Sequence, residues 1–379
     1  MHLVPAVSVL LMLTVLMAPA ASRAAPGAPL PERRLARMVD EAVAQGVPGL
    51  QVHVSRGGRD WSRASGFASI ETRRPMDRTT RLRTASITKL MTYAVTMELV
   101  RQGRLKLTDR AVDRLDPRAL AGVPHAERIT IAQLLDHQSG LHNFNGPDGQ
   151  GFFRDLFADP ARGDRIRTAQ ELIDYAKLPA NRPDGLPGAG TWYSSTGYMV
   201  LELILERATG RPIHRLYRDL LFRPLAMTSA GMEGPELSTA DIADSYAVRA
   251  VDADGVPSPF DGRAPIRRDG LYNLSAGLRW YNGWARAAGA VALSADDLAR
   301  FMAGVRAGRF TVFKDQAAAL GRASPTTVYD WNGGTFGVQA TVLYAPAPDI
   351  TVVVIENGSG AGKSAHDLAR EILALLKAA

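Results

Sequence analysis

Between Pro31 and Gln45 the apolar residues recur at helical spacing, at Leu35, Met38, Val39, Ala42 and Val43. That period predicts an amphipathic helix, and Gly46-Val47-Pro48-Gly49 ends it. The next stretches, "LQVHVSR" and "DWSRASGFAS", are rich in β-branched and aromatic residues and flank a short "GGR". They predict two strands of a hairpin. An apolar helix follows from Ser86 until "RQGRLKLTD". Helical spacing then returns in pieces near Ile131–Leu135, Ala169–Ala176, Tyr198–Ala208 and Ile213–Leu221, separated by loops such as "ANRPDGLPGAG". "ADDLARFMAGVRAG" predicts a further helix, "TFGVQATVLYAPAPDITVVVIENG" two strong strands around a turn, and "SAHDLAREILALLKAA" a closing amphipathic helix.

Strands thus lie at both ends of the chain and helices between them. The pattern predicts an α/β (α+β) fold: one antiparallel sheet built from the N- and C-terminal segments, flanked by helices, with an inserted, mostly helical subdomain. On this reading one domain covers residues 30–379. Its sheet subdomain takes about 30–90 and 285–379, and its helical subdomain about 91–284. No internal repeat appears.

Residues 1–24 stand apart. They are apolar from Leu3 to Met17, then small and Pro-containing, with small-x-small sites at Ala18-Pro19-Ala20 and Ser22-Arg23-Ala24. That is the pattern of a cleaved secretory signal peptide, so a secreted or periplasmic protein is expected. The apolar run is shorter than the roughly 20 residues of a spanning helix, so no stable membrane anchor is expected after cleavage. The chain has no Cys, so neither disulfides nor thiol-linked lipids are available. The net charge of +7 is spread as single Arg residues and short groups. Such a surface is a solvated basic one, suited to an anionic envelope; no nucleic-acid partner is implied. No zinc spacing, P-loop or dinucleotide fingerprint occurs. "VDADG" at 251–255 lacks the distal Glu of a calcium loop and reads as a turn. No metal or organic cofactor is implied, and nothing in the sequence specifies an oligomeric state.

Only six residues are Lys, against 45 Lys and Arg together. One of them, Lys89, follows Ser86 by three positions at the start of the apolar helix. Residues i and i+3 share a helix face. Near the positive end of the helix dipole a developing alkoxide is stabilised and an ammonium disfavoured, and burial adds to the second effect. A lysine can lose its proton, whereas an arginine cannot in a protein. Ser86 and Lys89 are therefore a candidate nucleophile and activating base. The plainer reading is a capping Ser followed by an exposed Lys. A Ser–His–Asp hydrolase with a Gly-x-Ser-x-Gly elbow is excluded, since no such elbow occurs.

From about Val47 to the C-terminus the chain resembles the serine β-lactamase and penicillin-binding hydrolase family, in its class C, DD-peptidase and esterase branch. "LRTASITKL" resembles its nucleophile motif, "ITIAQLLDHQSGLHNF" its Leu-Leu-Thr-His-Thr-Ser-Gly-Leu stretch, and "GTWYSSTGYMVLELILERATGRP" the segment of its Tyr-x-Asn motif. "FRPLAMTSAGM" and "AAGAVALSADDLARFM" are similar to two later segments, in the family's order.

The resemblance implies the β-lactamase/transpeptidase fold, Ser86 as nucleophile, Lys89 as its partner and Tyr193 as proton shuttle. His137, Ser139 and Gly140 are read as structural. Two departures bear on substrate choice. The motif Asn is Ser195 here. The third motif, usually Lys-Thr-Gly or His-x-Gly, falls in "DWNGGTFG", where either Trp331 or Asn332 stands in the cation's place. In the Trp331 register, Gly333 completes the motif, and the backbone N–H groups of Gly334 and Ser86 would form the oxyanion hole. Neither candidate can pair a substrate carboxylate. The expected activity is therefore a carboxylesterase type on neutral, small-molecule esters through an acyl-enzyme. The alternatives are a D-alanyl-D-alanine carboxypeptidase or related D-peptidase acting on a peptide, a β-lactamase, and a non-catalytic envelope binder.

Overall fold

The computed structural model describes residues 29–146, 152, 165–248, 271–360 and 362–378. The leader at 1–24 and the turn at 251–255 lie outside the described residues.

Strands β1 (Gly49–Arg56) and β2 (Arg59–Ser69) form an antiparallel hairpin through Gly57 and Gly58, both at positive φ. Glycine meets no Cβ penalty there. The free edge of β1 pairs with β6 (Ile350–Glu356), from Leu50 opposite Glu356 to Arg56 opposite Ile350. Thus the two ends of the chain share a sheet. With β3 (Arg74–Pro75), β4 (Tyr329–Thr335) and β5 (Val338–Ala345), the spatial order is β3-β2-β1-β6-β5-β4.

Strand β6, ITVVVIE, is buried at every position because helices cover both faces of the sheet. Val352 and Val354 join Val52, Val54 and Leu343 under helices α1 (Glu32–Ala44) and α5 (Ala365–Ala378). Val353 and Ile355 point the other way, into a larger core with α2 (Thr88–Arg101), α3 (Ser195–Thr209) and α4 (Ala295–Arg306). The two-residue period of a strand sorts these alternate valines between two cores. Helix α2 is buried on all sides from Thr88 to Thr96, so it forms the centre of the molecule rather than a surface helix.

The long elements follow the periodicity closely. The differences lie at boundaries and in short pieces. Ser86 is in a 3₁₀ turn, Ala85–Ile87, just ahead of α2, and not in the first α-helical turn. The helix expected over Ile213–Leu221 becomes a π turn at Arg218–Phe222. The stretch expected to be mostly helical also supplies two-residue strands. Gly231–Met232 joins Leu82–Arg83 and Val291–Leu293 in one small sheet; Tyr246–Ala247 and Tyr272–Asn273 join Gly358–Ser359 in another. Strands this short carry no period to read.

Candidate active site

The approach to Ser86 is pinned from several sides. Arg83 is buried and makes an ion pair with the equally buried Glu233, its Nε 2.7 Å from Oε2. Thr84 donates its hydroxyl to the Val291 carbonyl at 2.8 Å. Ala85 then takes φ +44°, an uncommon conformation for a residue with a Cβ, and the chain turns into α2. This turn presents Ser86 at the head of a buried helix, with Lys89 one turn below.

Ser86 Oγ lies 2.6 Å from the Tyr193 hydroxyl, and Lys89 Nζ donates to Ser86 Oγ at 3.2 Å. Lys89 is only 6% exposed and donates a second bond, of 2.9 Å, to the Ala288 carbonyl. Its ammonium also lies 4.8 Å from the centre of the Tyr193 ring and 5.4 Å from that of Tyr198. Burial pushes the Tyr193 phenol up. The Lys89 charge, with hydrogen bonds from Lys89, Ser86 and Ser195, outweighs that and holds it below the ordinary value. A serine hydroxyl, a phenol of lowered pKa and a buried ammonium in one cluster can pass a proton among themselves.

Tyr193 is placed by its sequence neighbours. Ser194 caps α3, its Oγ accepting from Gly197 N–H at 3.4 Å. His137 accepts from Ser194 N–H at 3.2 Å through Nδ1, and its ring lies 4.5 Å from that of Tyr193. Burial first, and the Lys89 charge second, push the His137 pKa down to about 4, so its ring is neutral at physiological pH. Ser195 N–H donates to Asn143 Oδ1 at 2.9 Å. Ser195 also lines the cleft.

The carbonyl that receives Lys89 is held residue by residue. Ala287 N–H donates to the buried Glu202 at 3.1 Å, and Ala287 O accepts from Thr92 at 2.7 Å. Gly289 O accepts from Asn282 at 2.9 Å. Arg286, at φ +40°, is paired with Glu202. Between these fixed groups the Ala288 carbonyl points at Lys89. Glu202, Arg286, Thr92 and Asn282 were not legible as site residues, because they act on Lys89 only through the backbone of 287–289, which the fold brings to it from 199 positions away.

Strand β4 closes the other wall. A Cβ on Gly333 would meet the Thr84 carbonyl at 2.3 Å and the Ser86 nitrogen at 3.0 Å, so only glycine lets β4 approach the Ser86 turn this closely. Trp331 stands opposite Val342 of β5, whose side chain belongs to the inner core, and its ring lines a cleft with Ser86. Asn332 turns its side chain the other way, to Thr341 Oγ1 at 2.8 Å and His366 Nδ1 at 3.1 Å. Gly334 lines the opposite cleft.

Ser86 and Lys89 thus sit between two clefts. One, of about 340 Å³, is lined by Asn145, Ser195, Asn282, Trp284, Gly334 and Phe336 among others. The other, of about 260 Å³, runs past Tyr193, Leu90, Tyr93, Phe313 and Trp331. Asn145 carries a buried Oδ1 with no hydrogen-bond partner among the described residues, a signal that exists only in three dimensions. Among the described residues no group of three or more His, Cys, Asp or Glu could hold a metal ion, and no helix is long and apolar enough to cross a membrane.

A six-stranded antiparallel sheet covered by helices on both faces, with a serine, a lysine and a tyrosine brought together at the head of its central helix, has the organisation of a β-lactamase-like hydrolase. The chain belongs to the Beta-lactamase family, whose model matches residues 35–377. It is 30% identical over 298 residues to Esterase EstB of Burkholderia gladioli, an alignment covering 76% of this chain and 73% of the relative. It is 27% identical over 318 residues to Penicillin-binding protein 4 of Amycolatopsis lactamdurans, covering 76% and 75%. The fold is also that of D-amino acid amidase from Ochrobactrum anthropi SV3, with a TM-score of 0.72, 21% identity, and coverage of 91% of this chain and 99% of that one. The protein is a serine hydrolase of the β-lactamase-like family.

Proposed function

We propose that the protein is an exported carboxylesterase that cleaves neutral esters through an acyl-enzyme on Ser86. The observation that carries this reading is the Ser86 hydroxyl held 2.6 Å from Tyr193 and 3.2 Å from Lys89, open to two clefts. Export rests on the leader-like pattern of residues 1–24.

The Tyr193 phenolate, kept anionic by the Lys89 ammonium, takes the Ser86 proton as Oγ bonds to the ester carbonyl carbon. The oxyanion so formed is bound by the N–H groups of Ser86 and Gly334, the second offered by the edge strand β4. The tetrahedral species collapses, the C–O bond to the alcohol breaks, and Tyr193 returns the proton to the departing oxygen. Water then gives a proton to Tyr193 and attacks the acyl carbon. Collapse breaks the bond to Oγ, restores the Ser86 hydroxyl and releases the acid. Lys89 keeps the tyrosine acidic throughout, and the Ala288 carbonyl keeps Lys89 in place.

The preference for neutral esters rests on charge. Among the described residues, Lys89 is the only Lys or Arg lining either cleft. An unpaired substrate carboxylate would cost several kcal/mol to bury. The test is kcat/KM for two esters that differ only in a free or methylated carboxylate, alongside labelling of Ser86 by a fluorophosphonate probe. Labelling with faster turnover of the methylated ester is expected. Faster turnover of the free acid would replace the esterase reading with a D-peptidase one, and absence of labelling would remove the acyl-enzyme.

A further inference from the structure

The two clefts differ in composition, and the difference assigns the two halves of the substrate. This rests on the acyl-enzyme reading above. Tyr193, which returns the proton to the departing oxygen, lines only the 260 Å³ cleft. The leaving alcohol therefore occupies that cleft, and the acyl group the larger, more polar one.

The alcohol cleft is built from rings. Its floor is one face of the central helix. Lys89, Leu90 and Tyr93 follow Ser86 at i+3, i+4 and i+7, so the same face that carries the nucleophile continues beneath the leaving group. Leu90 and Tyr93 are 7% and 6% exposed. Tyr193 and His137 form one wall, and Phe313 and Trp331 the other. That second wall is rigid. Trp331 stacks on Tyr329 with ring centres 5.8 Å apart and planes 13° from parallel, and Phe313 stacks on Tyr329 at 4.9 Å. The Tyr344 ring extends the series behind Tyr329, at 6.4 Å. A side chain locked into such a stack loses little freedom when a ligand arrives.

The charges around the cleft favour no acid. Its one Lys or Arg among the described residues, Lys89, is held by Ser86 Oγ and the Ala288 carbonyl. Asp136 lies along it, while the Asp330 carboxylate shares the other face of β4 with Asn332, whose Nδ2 donates to it at 2.7 Å. Asp136 accepts from the Tyr93 hydroxyl at 3.2 Å and has Lys314 and Asp315 nearby. Asp330 has His366 Nε2 at 3.7 Å.

We propose that this cleft selects esters of aromatic alcohols that carry no carboxylate. A flat ring lies against walls of rings, where offset or edge contacts add attraction beyond the area buried. A saturated ring of the same bulk buries similar area without those contacts. A carboxylate on the ring meets the Asp136 carboxylate of the protein.

The test uses butyrate esters of four alcohols: benzyl, cyclohexylmethyl, ethyl and 4-carboxybenzyl. The first three alcohols leave almost equally well, so kcat/KM reports on the cleft. Benzyl butyrate is expected to exceed ethyl butyrate by roughly tenfold or more, from area alone, and cyclohexylmethyl butyrate by several-fold, from the ring contacts. The 4-carboxybenzyl ester is expected to be slower than benzyl. In Phe313→Ala the benzyl-to-cyclohexylmethyl ratio should fall towards one, while Phe313→Leu, which keeps the site apolar, should lose the same ratio yet retain the advantage of both over ethyl. Equal rates for benzyl and cyclohexylmethyl esters in a wild-type protein that hydrolyses all of them would overturn the inference and leave the esterase reading standing. A ratio unmoved in both Phe313 variants would overturn it too. Hydrolysis of none, with no Ser86 labelling, would instead be a failure of the esterase reading.

Discussion

Two polar clusters in this molecule each contain a serine, and only one is arranged for chemistry. Around Ser62 the residues are those of a familiar hydrolase set: Ser62, His53 and Asp296, beside a cleft of about 270 Å³. Around Ser86 they are a lysine and a tyrosine. In a working Ser–His–Asp set the serine meets one ring nitrogen and the carboxylate the other. Here Ser62 Oγ and Asp296 Oδ1 both meet His53 Nδ1, at 3.1 and 2.8 Å, and Ser62 donates its own proton to Asp296 at 2.6 Å. His53 Nε2 faces Asp60 at 3.7 Å. No base is left over for the Ser62 proton. Arg78 adds a bond to Asp296 at 2.7 Å, so the cluster ties the β1–β2 hairpin to the start of α4. At Ser86, by contrast, the hydroxyl is shared between a phenol and an ammonium and faces open space. The same residue type is a strut in one place and a candidate nucleophile in the other, and connectivity alone separates them.

The largest effect should come from exchanging the two serines' fates. Ser86→Ala should abolish fluorophosphonate labelling and lower ester turnover by 10³-fold or more, the order seen when a nucleophile is removed. Ser62→Ala should leave both nearly unchanged. Loss of activity in Ser62→Ala with labelling of Ser86 intact would erase the distinction drawn here.

Lys89→Arg keeps charge and approximate length. It should still lower turnover by roughly 10²-fold or more, because a planar guanidinium cannot donate to both Ser86 Oγ and the Ala288 carbonyl from the ammonium's place and so no longer sets its charge against Tyr193. A folded Lys89→Arg protein with near-normal kcat would sink the role of Lys89.

A smaller effect is expected one residue further out. Glu202→Gln preserves the shape of the support under Ala287 but weakens its hold on Arg286, and so lets the Ala288 carbonyl drift from Lys89. Turnover should fall by about tenfold, a few tenths of an ångström at a positioned group being felt at this scale. With the ammonium less well placed, Tyr193 loses part of what lowers its pKa, so the acid limb of the pH–rate profile should move to higher pH. A uniform loss with no shift would mark Glu202 as a packing residue only.

The smallest effect is on stability, at the Ser62 cluster. Burial alone would lower the His53 pKa. Asp296 and Asp60 outweigh it and raise it above 6.5. A raised histidine stabilises the fold fully below its unfolded value and loses that contribution as pH rises through the folded one. Asp296 is opposed by burial but held well below its ordinary 3.8 by His53, Ser62 and Arg78. Its contribution is present above 3.8 and is lost as pH falls towards the folded value. The pair is therefore at full strength between about 3.8 and 6.5. His53→Gln should destabilise more in a denaturant melt within that window than in alkaline buffer. Equal destabilisation at both pH values would remove the ion pair from the account.

Much of this arrangement was written locally. The hydrophobic period placed the hairpin, the two C-terminal strands and the long helices, because those elements form through contacts within a few residues. It erred at Ser86, where a residue at positive φ turned the first helical turn into a 3₁₀ turn, and in the middle of the chain, where two-residue strands find distant partners. The spacing of Ser86 and Lys89 belongs to the legible part, since residues i and i+3 share a face in a 3₁₀ turn as they do in an α-helix.

Which residue meets Ser86 from elsewhere is a different kind of question. Tyr193 is 107 positions away, and Ala288 is 199 positions from Lys89. Resemblance to a family suggested Tyr193; nothing suggested a backbone carbonyl. Trp331 and Asn332 were equivalent in sequence, because a strand's alternation says that neighbours face opposite ways but not which face the sheet will turn to the site. Pairing Trp331 with Val342, on the face that packs against α2, made that choice. The sequence by itself determined the elements, the Ser86–Lys89 pair and the shortage of cations near the third motif, all properties of short segments. Tertiary structure decided the tyrosine's approach, the support behind Lys89 and the difference between two serines, because each depends on sheet register and helix packing that bring distant segments to within a hydrogen bond.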